Sequence, residues 1–179
     1  MDFKKYLKKT VIGAVLIIVC FILQTSIFGK LPLGGVTPNL LIMLTSFFGF
    51  IYGNKEGTIV GFFSGLLLDM FFGVHFGMFA LIYLSIGFLN GLIRKQFFGD
   101  DVKLPLLLVA LSDLLYGLTV YLTIFLPRKK TNLYDYFMTI MMPEVMYTIL
   151  VAFFLYFVFV RIKDWESTAE KRSESTYFG

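Results

Sequence analysis

Three acidic residues lie inside the apolar segments of this chain: Asp69, Asp113 and Glu144. No lysine or arginine lies in those segments to pair with them. Placing an aspartate at the centre of a membrane helix costs roughly 2.5–3.5 kcal/mol on insertion scales, so each acid needs a polar environment, a partner or a function. Three interpretations stay open: a protonated or hydrogen-bonded packing residue, a group that recognises a partner helix, or a group that binds a solute or relays protons.

The three acids share a similar predicted depth. At a rise of about 1.5 Å per residue, Asp69 and Asp113 lie about 18 Å and 14 Å from the inner ends of their segments, and Glu144 lies about 10 Å from its outer end. All three therefore fall at mid-membrane or in the outer half, where they could line one shared cavity. Pro143 precedes Glu144, and because proline removes a backbone hydrogen bond, it predicts a kink beside that acid.

Glycines spaced four residues apart run along the third apolar segment and recur in its neighbours. Residues four apart share one face of a helix, and a face of glycines lets another backbone approach closely. Such a groove is typical of packing within one bundle or of docking by another subunit, and here it should include Asp69. The residues to which the pattern gives a partner-binding or helix-packing role are Gly57, Gly61, Gly65, Asp69, Gly73, Gly77, Gly87 and Gly91.

The composition indicates a membrane protein. Of the 179 residues, 58% are hydrophobic and 18% are aromatic, and the mean hydropathy is +0.80. A soluble domain of this size could not cover so much apolar surface, whereas a bilayer solvates it. The net charge of +4 comes from basic residues at membrane edges, where they contact anionic lipid, and is not a nucleic-acid signature.

Six apolar segments predict one polytopic membrane domain over residues 1–160. The predicted helices cover about residues 11–28, 40–52, 58–72, 76–93, 104–126 and 137–160. The second and third are short against the roughly 20 residues that cross a ~30 Å hydrocarbon core, so they are short spans or steeply packed half-helices, and we favour spans. The tail, residues 161–179, mixes both charge signs with serine and threonine and is predicted to be disordered.

The distribution of lysine and arginine predicts the orientation. With both termini in the cytoplasm, only Lys30, Arg128, Lys129 and Lys130 of the 16 basic residues face outward, in line with the positive-inside rule. The basic N-terminus resembles the start of a signal peptide. No small-residue cleavage pattern follows the first segment, so we expect that segment to be retained as a helix.

The sequence gives little support to an enzyme. It contains no phosphate-binding glycine loop, no HExxH or CxxC motif and no nucleophile–base–orienter set. His75 has no second ligand in the pattern, and Cys20 is the single cysteine, so neither a metal site nor an intramolecular disulfide is predicted. We expect no catalytic residue, no metal and no cofactor.

The order of these features resembles the MreD family of bacterial rod shape-determining membrane proteins. The strongest part is the third segment, which runs Gly57-Thr58-Ile59-Val60-Gly61-Phe62-Phe63-Ser64-Gly65-Leu66-Leu67-Leu68-Asp69. Weaker parts are Leu23-Gln24-Thr25-Ser26, Pro38-Asn39-Leu40-Leu41, Gly73, Gly77, Gly87 and Gly91. The resemblance covers roughly residues 10–95, and the last two segments agree only in hydropathy. It assigns no role to Asp113 or Glu144.

The resemblance implies a multi-pass protein of the bacterial plasma membrane, similar in fold to the substrate-binding subunits of energy-coupling-factor vitamin transporters. It implies a non-enzymatic scaffold of the elongasome, which controls cell shape and lateral or peripheral peptidoglycan synthesis. The implied direct partner is MreC, a single-span protein with a large external domain. MreB filaments, RodA and a class B penicillin-binding protein belong to the wider complex.

We hypothesise that the glycine-lined face binds the membrane helix of an MreC-like partner and that Asp69 orients this face. The alternative is a solute-binding subunit of a vitamin transporter, in which the mid-membrane acids would form a pocket for a cationic vitamin. Against it, the first segment has bulky residues after Gly13-Ala14 and lacks the Ala-x-x-x-Ala pattern with which such subunits dock. A proton-coupled carrier would need inverted repeats, which we do not find in the sequence.

Overall fold

The computed structural model describes residues 3–30, 32, 35–73, 75–94, 103–127 and 132–177, and every regular element in this part of the chain is a helix. The α-helices are α1 (Phe3–Ile22), α2 (Leu40–Tyr52), α3 (Asn54–Phe72), α4 (Met78–Arg94), α5 (Lys103–Val120), α6 (Leu133–Tyr136) and α7 (Met142–Tyr177). The prediction of an all-α protein is confirmed. The basic residues Arg128, Lys129 and Lys130, predicted to face outward, lie outside the described ranges.

Short π-helical turns extend three of the helices. They cover Leu23–Ile27 after α1, Tyr121–Phe125 after α5, and Phe137–Met141 between α6 and α7. The last turn joins α6 and α7 into one segment, so the described residues contain six helical segments. This turn ends two residues before Pro143, where the sequence predicts a kink, and a π-helical turn is one way to accommodate such an irregularity.

Within the described ranges, three segments are long and apolar enough to cross a bilayer: Thr10–Lys30, Lys103–Phe125 and Leu133–Val158. Helices α2 and α4 are apolar but shorter. The 13 residues of α2 extend only about 20 Å at 1.5 Å per residue, which is less than the ~30 Å core. One end of α2 must therefore lie inside the membrane thickness.

Helix α2 forms the centre of the bundle. Residues 41–49 are all buried, and the side chains of Leu41, Leu44 and Phe47 are 0% exposed. A helix that is apolar on every face is stable where it is covered on every face. Helices α1, α3, α4, α5 and α7 all contact α2, so it acts as the common core for the segments around it.

Gly53 is the single residue between α2 and α3. Its φ is +109°, in the left-handed region that glycine adopts without steric cost. The chain can therefore reverse direction abruptly, and α2, α3 and α4 pack on one another as a three-helix unit. This unit holds the predicted glycines.

Helix α1 lies on the outside of this unit. Only 17% of its most apolar window is buried within the bundle, and Val11, Val15 and Ile22 are each more than half exposed. The π-helical turn after α5 packs on α6 through aromatic rings. The ring of Tyr136 lies 5.1 Å from that of Tyr121 and 4.8 Å from that of Phe125, measured between centroids.

The ends of the chain differ from the sequence prediction. Helix α7 continues to Tyr177, whereas residues 161–179 were predicted to be disordered. No proline or glycine interrupts residues 161–177, so the backbone has no strong helix breaker there. Helix α1 likewise begins at Phe3, earlier than the predicted residue 11, because lysine is a good helix former.

Candidate functional site

Three helices meet at glycines near one end of the bundle. A methyl group at Gly57 of α3 would lie 2.5 Å from the Cα atom of Gly49 in α2 and 2.6 Å from the carbonyl oxygen of Gly87 in α4. A methyl group at Gly91 of α4 would overlap the Cα atom of Asn54. Real Cβ atoms essentially never come within 3.0 Å of another heavy atom, so only glycine fits at these positions.

The same close contact continues along α3. Methyl groups at Gly61 and Gly65 would overlap the carbonyl oxygens of Tyr83 and Phe79, respectively. Going along α3 from Gly57 to Gly65, the contacts on α4 run backwards, from Gly87 to Phe79. Helices α3 and α4 are therefore antiparallel, and their backbones are in direct contact. We call this contact the glycine seam; it consists of Gly57, Gly61 and Gly65 of α3 with Gly87 and Gly91 of α4.

The glycine seam is occupied by the chain's own helix α4. A partner helix therefore has no room on this face while the bundle is intact. The geometry is that of packing within one bundle, which is one of the two roles that the sequence pattern allows.

Asp69 caps helix α4. Its carboxylate, which is 4% exposed, accepts hydrogen bonds from the backbone N–H of Phe79 at 3.0 Å and of Ala80 at 2.8 Å. The first N–H groups of a helix have no partner within the helix, and the partial positive charge of the helix N-terminus stabilises a carboxylate. The cost of burying Asp69 is thus offset within the chain.

Gly73 and Gly77 lie in the turn between α3 and α4, beyond the glycine seam. The backbone N–H of Gly73 donates to the carbonyl oxygen of Asp69 at 3.2 Å and ends α3. Gly77 has a φ of +92°. The predicted groove includes Gly73, but α3 ends at Phe72. These two glycines instead shape the turn that brings the start of α4 to Asp69.

A polar cluster surrounds the N-terminus of α2. It draws side chains from the end of α1, the start of α2, and helices α4, α5 and α7. We define the polar cluster as Gln24, Asn39, Tyr83, Asp113, Glu144 and Thr148.

Members of the polar cluster satisfy the backbone at the start of α2. The N–H of Leu41 donates to Oε1 of Gln24, and that of Ile42 donates to Oδ1 of Asn39, both at 3.2 Å. The N–H of Asn39 itself donates to Oγ1 of Thr148 at 3.0 Å. Because two of these acceptors lie on distant helices, the polar cluster ties α1 and α7 to the central helix.

Two further hydrogen bonds hold the acceptors in place. The hydroxyl of Tyr83 donates to Oδ1 of Asn39 at 2.9 Å, and Oγ1 of Thr148 donates to the carbonyl oxygen of Glu144 at 2.8 Å. Tyr83 and Thr148 are both 0% exposed. The cluster is therefore closed off from the outside around Asn39.

The polar cluster lies deep in the bundle. Thr148 is about 22 Å along the helix from Leu133, and Asp113 is about 15 Å along α5 from Lys103, at 1.5 Å per residue. Both distances fall in the interior of a ~30 Å core. Helix α2 therefore begins inside the membrane thickness. Pro38 and Asn39, which precede it in a non-helical conformation, are buried in protein, as irregular backbone at this depth requires.

The structure brings two of the three predicted acids together. Asp113 is 2% exposed, and neither of its carboxylate oxygens has a hydrogen-bond partner. The side chains of Thr148 and Asn39 lie close enough to act as weak hydrogen-bond donors toward it, although neither reaches ideal geometry, and the carboxylate of Glu144 is close enough to repel it electrostatically. Asp69 lies apart from this pair because it is bound to the N-terminus of α4. The expectation of a cavity shared by all three acids is not met.

Asn90 makes a separate polar contact between helices. Its Nδ2 donates to Oγ of Ser46 at 3.1 Å and to Oγ of Ser112 at 2.8 Å. These bonds join α4 to α2 and α5. Within the described ranges, no group of three or more histidine, cysteine, aspartate or glutamate residues could hold a metal ion.

An apolar groove runs between α1 and α3 on the outside of the bundle. Its volume is about 330 Å³. Gly13 and Ala14 line it from α1, Phe63 lines it from α3, and Thr10 and Glu56 lie at one end. We call it the α1–α3 groove. It differs from the glycine seam because no element of the described chain fills it.

Comparison with known families identifies the chain. The family model of the rod shape-determining protein MreD matches residues 4–162. The chain belongs to the MreD family. No curated protein sequence and no solved structure matches the chain significantly.

MreD family membership gives the protein a role in rod shape determination and an association with the MreC/MreB shape machinery in general. It is a helical membrane protein, and the MreD family is not a known enzyme family. The match confirms the resemblance and extends it over the last two helices, where the sequence alone agrees only in hydropathy. The similarity to energy-coupling-factor subunits stays a prediction.

Sequence reasoning misses most of the polar cluster of this MreD-family protein. Asn39 carries a usable signal, because asparagine directly before an apolar run is a preferred N-cap. Thr148 lies four residues after Glu144, on the same helix face. Gln24 and Tyr83 give no such local signal, because their bonds join residues separated by 17 and 44 positions.

Proposed function

We propose that this MreD-family protein is a non-enzymatic membrane scaffold that binds the membrane helix of an MreC-like single-span partner in the α1–α3 groove. Through that partner it joins the elongasome of the bacterial plasma membrane, with both termini in the cytoplasm. It supports lateral or peripheral peptidoglycan synthesis together with MreB filaments, RodA and a class B penicillin-binding protein. The open α1–α3 groove is the observation that carries this proposal.

Small residues make the α1–α3 groove suitable for a helix. Ala14 is exposed and lines the groove beside Gly13, so a partner backbone can approach α1 closely. Within a bilayer, helices associate through such close packing because lipid tails are as apolar as leucine. The groove walls are bulkier, and Phe63 is 53% exposed, which provides contact area for apolar side chains of the partner.

Charge supports one direction for the bound helix. Glu56 is the single acidic residue among those that line the α1–α3 groove, and it lies in the first turn of α3. With the predicted orientation, this end faces the cytoplasm. Single-span helices carry lysine and arginine on their cytoplasmic flank, so a partner that enters with its basic flank inside meets Glu56.

Filling the α1–α3 groove tests the proposal. Ala14→Trp places a large ring in the groove, whereas Val15→Trp places the same ring on the adjacent exposed position of α1, which does not line the groove. After co-expression with the MreC-like partner, Ala14→Trp should reduce the co-purified partner by about tenfold, while Val15→Trp keeps the wild-type amount. Equal recovery with both variants, each monodisperse, would exclude this groove as the binding surface.

Depletion in the host tests the cellular part of the proposal. Cells that lose this protein should lose their normal shape and incorporate less peptidoglycan at the lateral or peripheral wall, measured with fluorescent D-amino acids. Wild type and Val15→Trp should restore both properties, and Ala14→Trp should restore neither. Normal wall incorporation in depleted cells would contradict the scaffold role.

The vitamin-transporter alternative gains no support from the comparisons. The polar cluster is closed around buried side chains, whereas sites for organic ligands of that size are usually cavities of about 300–1,000 Å³. We therefore do not propose a vitamin as its ligand.

A further inference from the structure

We propose that the α1–α3 groove holds one acyl chain of a phospholipid of the cytoplasmic leaflet whose headgroup carries a primary ammonium, such as phosphatidylethanolamine. The lipid adds a regulator to the site of the proposed function, since a partner helix must displace it to enter the groove. That competition rests on the proposed function. The lipid site itself does not, because lipid binding is measured on the protein alone.

The α1–α3 groove has the polarity of a lipid. Of the described residues that line it, only Thr10, Tyr52 and Glu56 carry polar groups on their side chains. These three lie at one end, because Thr10 begins the apolar span of α1 and Tyr52 ends α2 next to the start of α3. The other lining residues are apolar or glycine. A polar end that continues into an apolar groove matches a headgroup that continues into an acyl chain.

The length of the α1–α3 groove matches one leaflet of a bilayer. From Glu56 to Leu67, the last lining residue of α3, the distance along the helix is about 16 Å at 1.5 Å per residue. Half of a ~30 Å hydrocarbon core is about 15 Å. With the predicted orientation, the groove therefore runs from the cytoplasmic headgroups to the bilayer midplane, which is the depth that a single acyl chain covers.

The walls of the α1–α3 groove offer contacts on two sides of an acyl chain. Ile18 of α1 and Phe63 of α3 both line it and are 55% and 53% exposed, and the small side chain of Ala14 leaves room between the helices. Without an occupant, the lining atoms would lose their dispersion contacts. Lipid tails are as apolar as these side chains. A lipid tail therefore fills the groove when no partner helix does.

Acidic and basic groups lie side by side at the polar end of the groove. From the position that a methyl group at Gly53 would take, Oε2 of Glu56 is 3.8 Å away and Nη1 of Arg94 is 3.5 Å away. Lys55 is exposed beside them. A carboxylate accepts strong hydrogen bonds from an ammonium group, and a guanidinium donates them to phosphate. A headgroup with both a phosphate and a primary ammonium fits this pair of charges.

Glu56 distinguishes between headgroups. Phosphatidylglycerol would bring its phosphate to the basic side chains, but it carries no cation for the carboxylate of Glu56. Phosphatidylcholine carries a cation, but its quaternary ammonium has no N–H group to donate. Because charge-assisted hydrogen bonds are the stronger ones, Glu56 favours the primary ammonium over both alternatives.

Lipid retention tests the proposal on the full-length protein. The protein is reconstituted in nanodiscs that contain equal amounts of phosphatidylethanolamine, phosphatidylcholine and phosphatidylglycerol with identical acyl chains, and the lipids that stay bound are counted by native mass spectrometry. We expect about one retained phosphatidylethanolamine per chain, with a preference of about fivefold over each of the other two, as one charge-assisted hydrogen bond would give. No retained lipid, or equal retention of all three, overturns the proposal.

Substitutions locate the site. Ala14→Trp fills the groove and should remove most of the retained lipid, and Ile18→Trp, at an exposed lining position, serves where Ala14→Trp does not fold. Val15→Trp, beside the groove, should retain the wild-type amount. Glu56→Gln should lose the preference for phosphatidylethanolamine, whereas Asp135→Asn, at an exposed acid of α6, should keep it. Unchanged retention in the groove-filling variants, or an unchanged preference in Glu56→Gln, overturns the proposal.

Addition of the MreC-like partner separates this proposal from the proposed function. Binding of the partner with release of the retained phosphatidylethanolamine supports both. Retained lipid without any binding of the partner supports the lipid site and refutes only the proposed function. Binding of the partner while the lipid stays in place overturns the competition between them.

Discussion

Asp69 and Asp113 are buried to a similar degree, at 4% and 2% exposure, but their surroundings are opposite. Asp69 accepts two backbone N–H groups from the first turn of α4, so helix formation itself supplies its partners. Asp113 accepts no backbone N–H; its nearest donors are the side chains of Thr148 and Asn39, and it lies beside a second carboxylate. Asp69 therefore stabilises the fold through its cap of α4, whereas no helix N-terminus donates to Asp113.

Removal of the Asp69 carboxylate should destabilise the protein. Asp69→Ala leaves two N–H groups in the first turn of α4 without their acceptors, and loss of a cap of this kind costs about 2 kcal/mol or more. The free energy of unfolding by SDS titration measures the effect. Asp135→Ala, at an exposed position, is the control and should change it by less than about 0.5 kcal/mol. Equal values for both variants would rule out the capping role.

The sequence identifies the acids but not their different roles. A charged residue in an apolar segment is visible from composition alone. The partners of Asp69 lie 10 and 11 residues away, across a turn whose geometry depends on Gly73 and Gly77. The surroundings of Asp113 depend on three other segments, so only the folded bundle distinguishes a cap from an unpartnered acid.

Helix α2 depends on its neighbours at its first turn. Its N-terminus is inside the membrane, so water cannot satisfy the free N–H groups there. Side chains from the end of α1 and from α7 do so instead. The central helix is thereby fixed in depth by contacts that form only when the outer segments are in place.

A threonine pair tests this dependence. Thr148 and Thr119 both donate to the carbonyl oxygen four residues earlier, but only Thr148 also accepts the N–H of Asn39. Thr148→Val leaves that buried N–H unsatisfied and should lower the free energy of unfolding by about 1–3 kcal/mol. Thr119→Val should have a much smaller effect. The same loss in both variants would mean that the Asn39 contact contributes nothing specific.

The glycine seam makes a second prediction for the helices. A methyl group at Gly61 would overlap the backbone of Tyr83, whereas one at Gly13 would lie 3.5 Å from Val60, an ordinary contact distance. Gly61→Ala must push α3 and α4 apart, and overpacking of this kind costs about 1–3 kcal/mol or more. Gly13→Ala should be nearly neutral. Thermal unfolding of the two purified variants compares them, and a stable Gly61→Ala protein would refute the close contact.

Hydropathy predicts the helices well where they are apolar throughout. A membrane segment can be recognised from its own residues, without information on the segments that pack against it. Glycine spacing correctly marks positions of close approach, but it does not reveal whether the approaching helix comes from the same chain. That distinction depends on the short α3–α4 turn. The length of the second segment leaves a short span and a half-helix open, and we favour a span from the sequence; only the contact of Asn39 with Thr148 shows that the N-terminus of α2 is interior.

At the scale of the whole molecule, the three-helix unit of α2, α3 and α4 is tightly closed, while α1 packs on its outside. Within this three-helix unit, the glycine seam is filled by α4 and offers no open surface to the backbone of a partner helix. The α1–α3 groove remains open and lies on the side of the chain with the least buried long segment. A scaffold needs both a rigid core and an accessible edge. The sequence alone does not show which helices form the core and which form the edge.

Photo-crosslinking tests the central claim most directly. A photoreactive phenylalanine analogue replaces Ala14 in the α1–α3 groove or, as the matched control, Leu118, an exposed residue of α5. In living cells, the analogue at position 14 should crosslink to the membrane helix of the MreC-like partner, and the analogue at position 118 should not. Crosslinks to that helix from position 118 but not from position 14 would contradict the account.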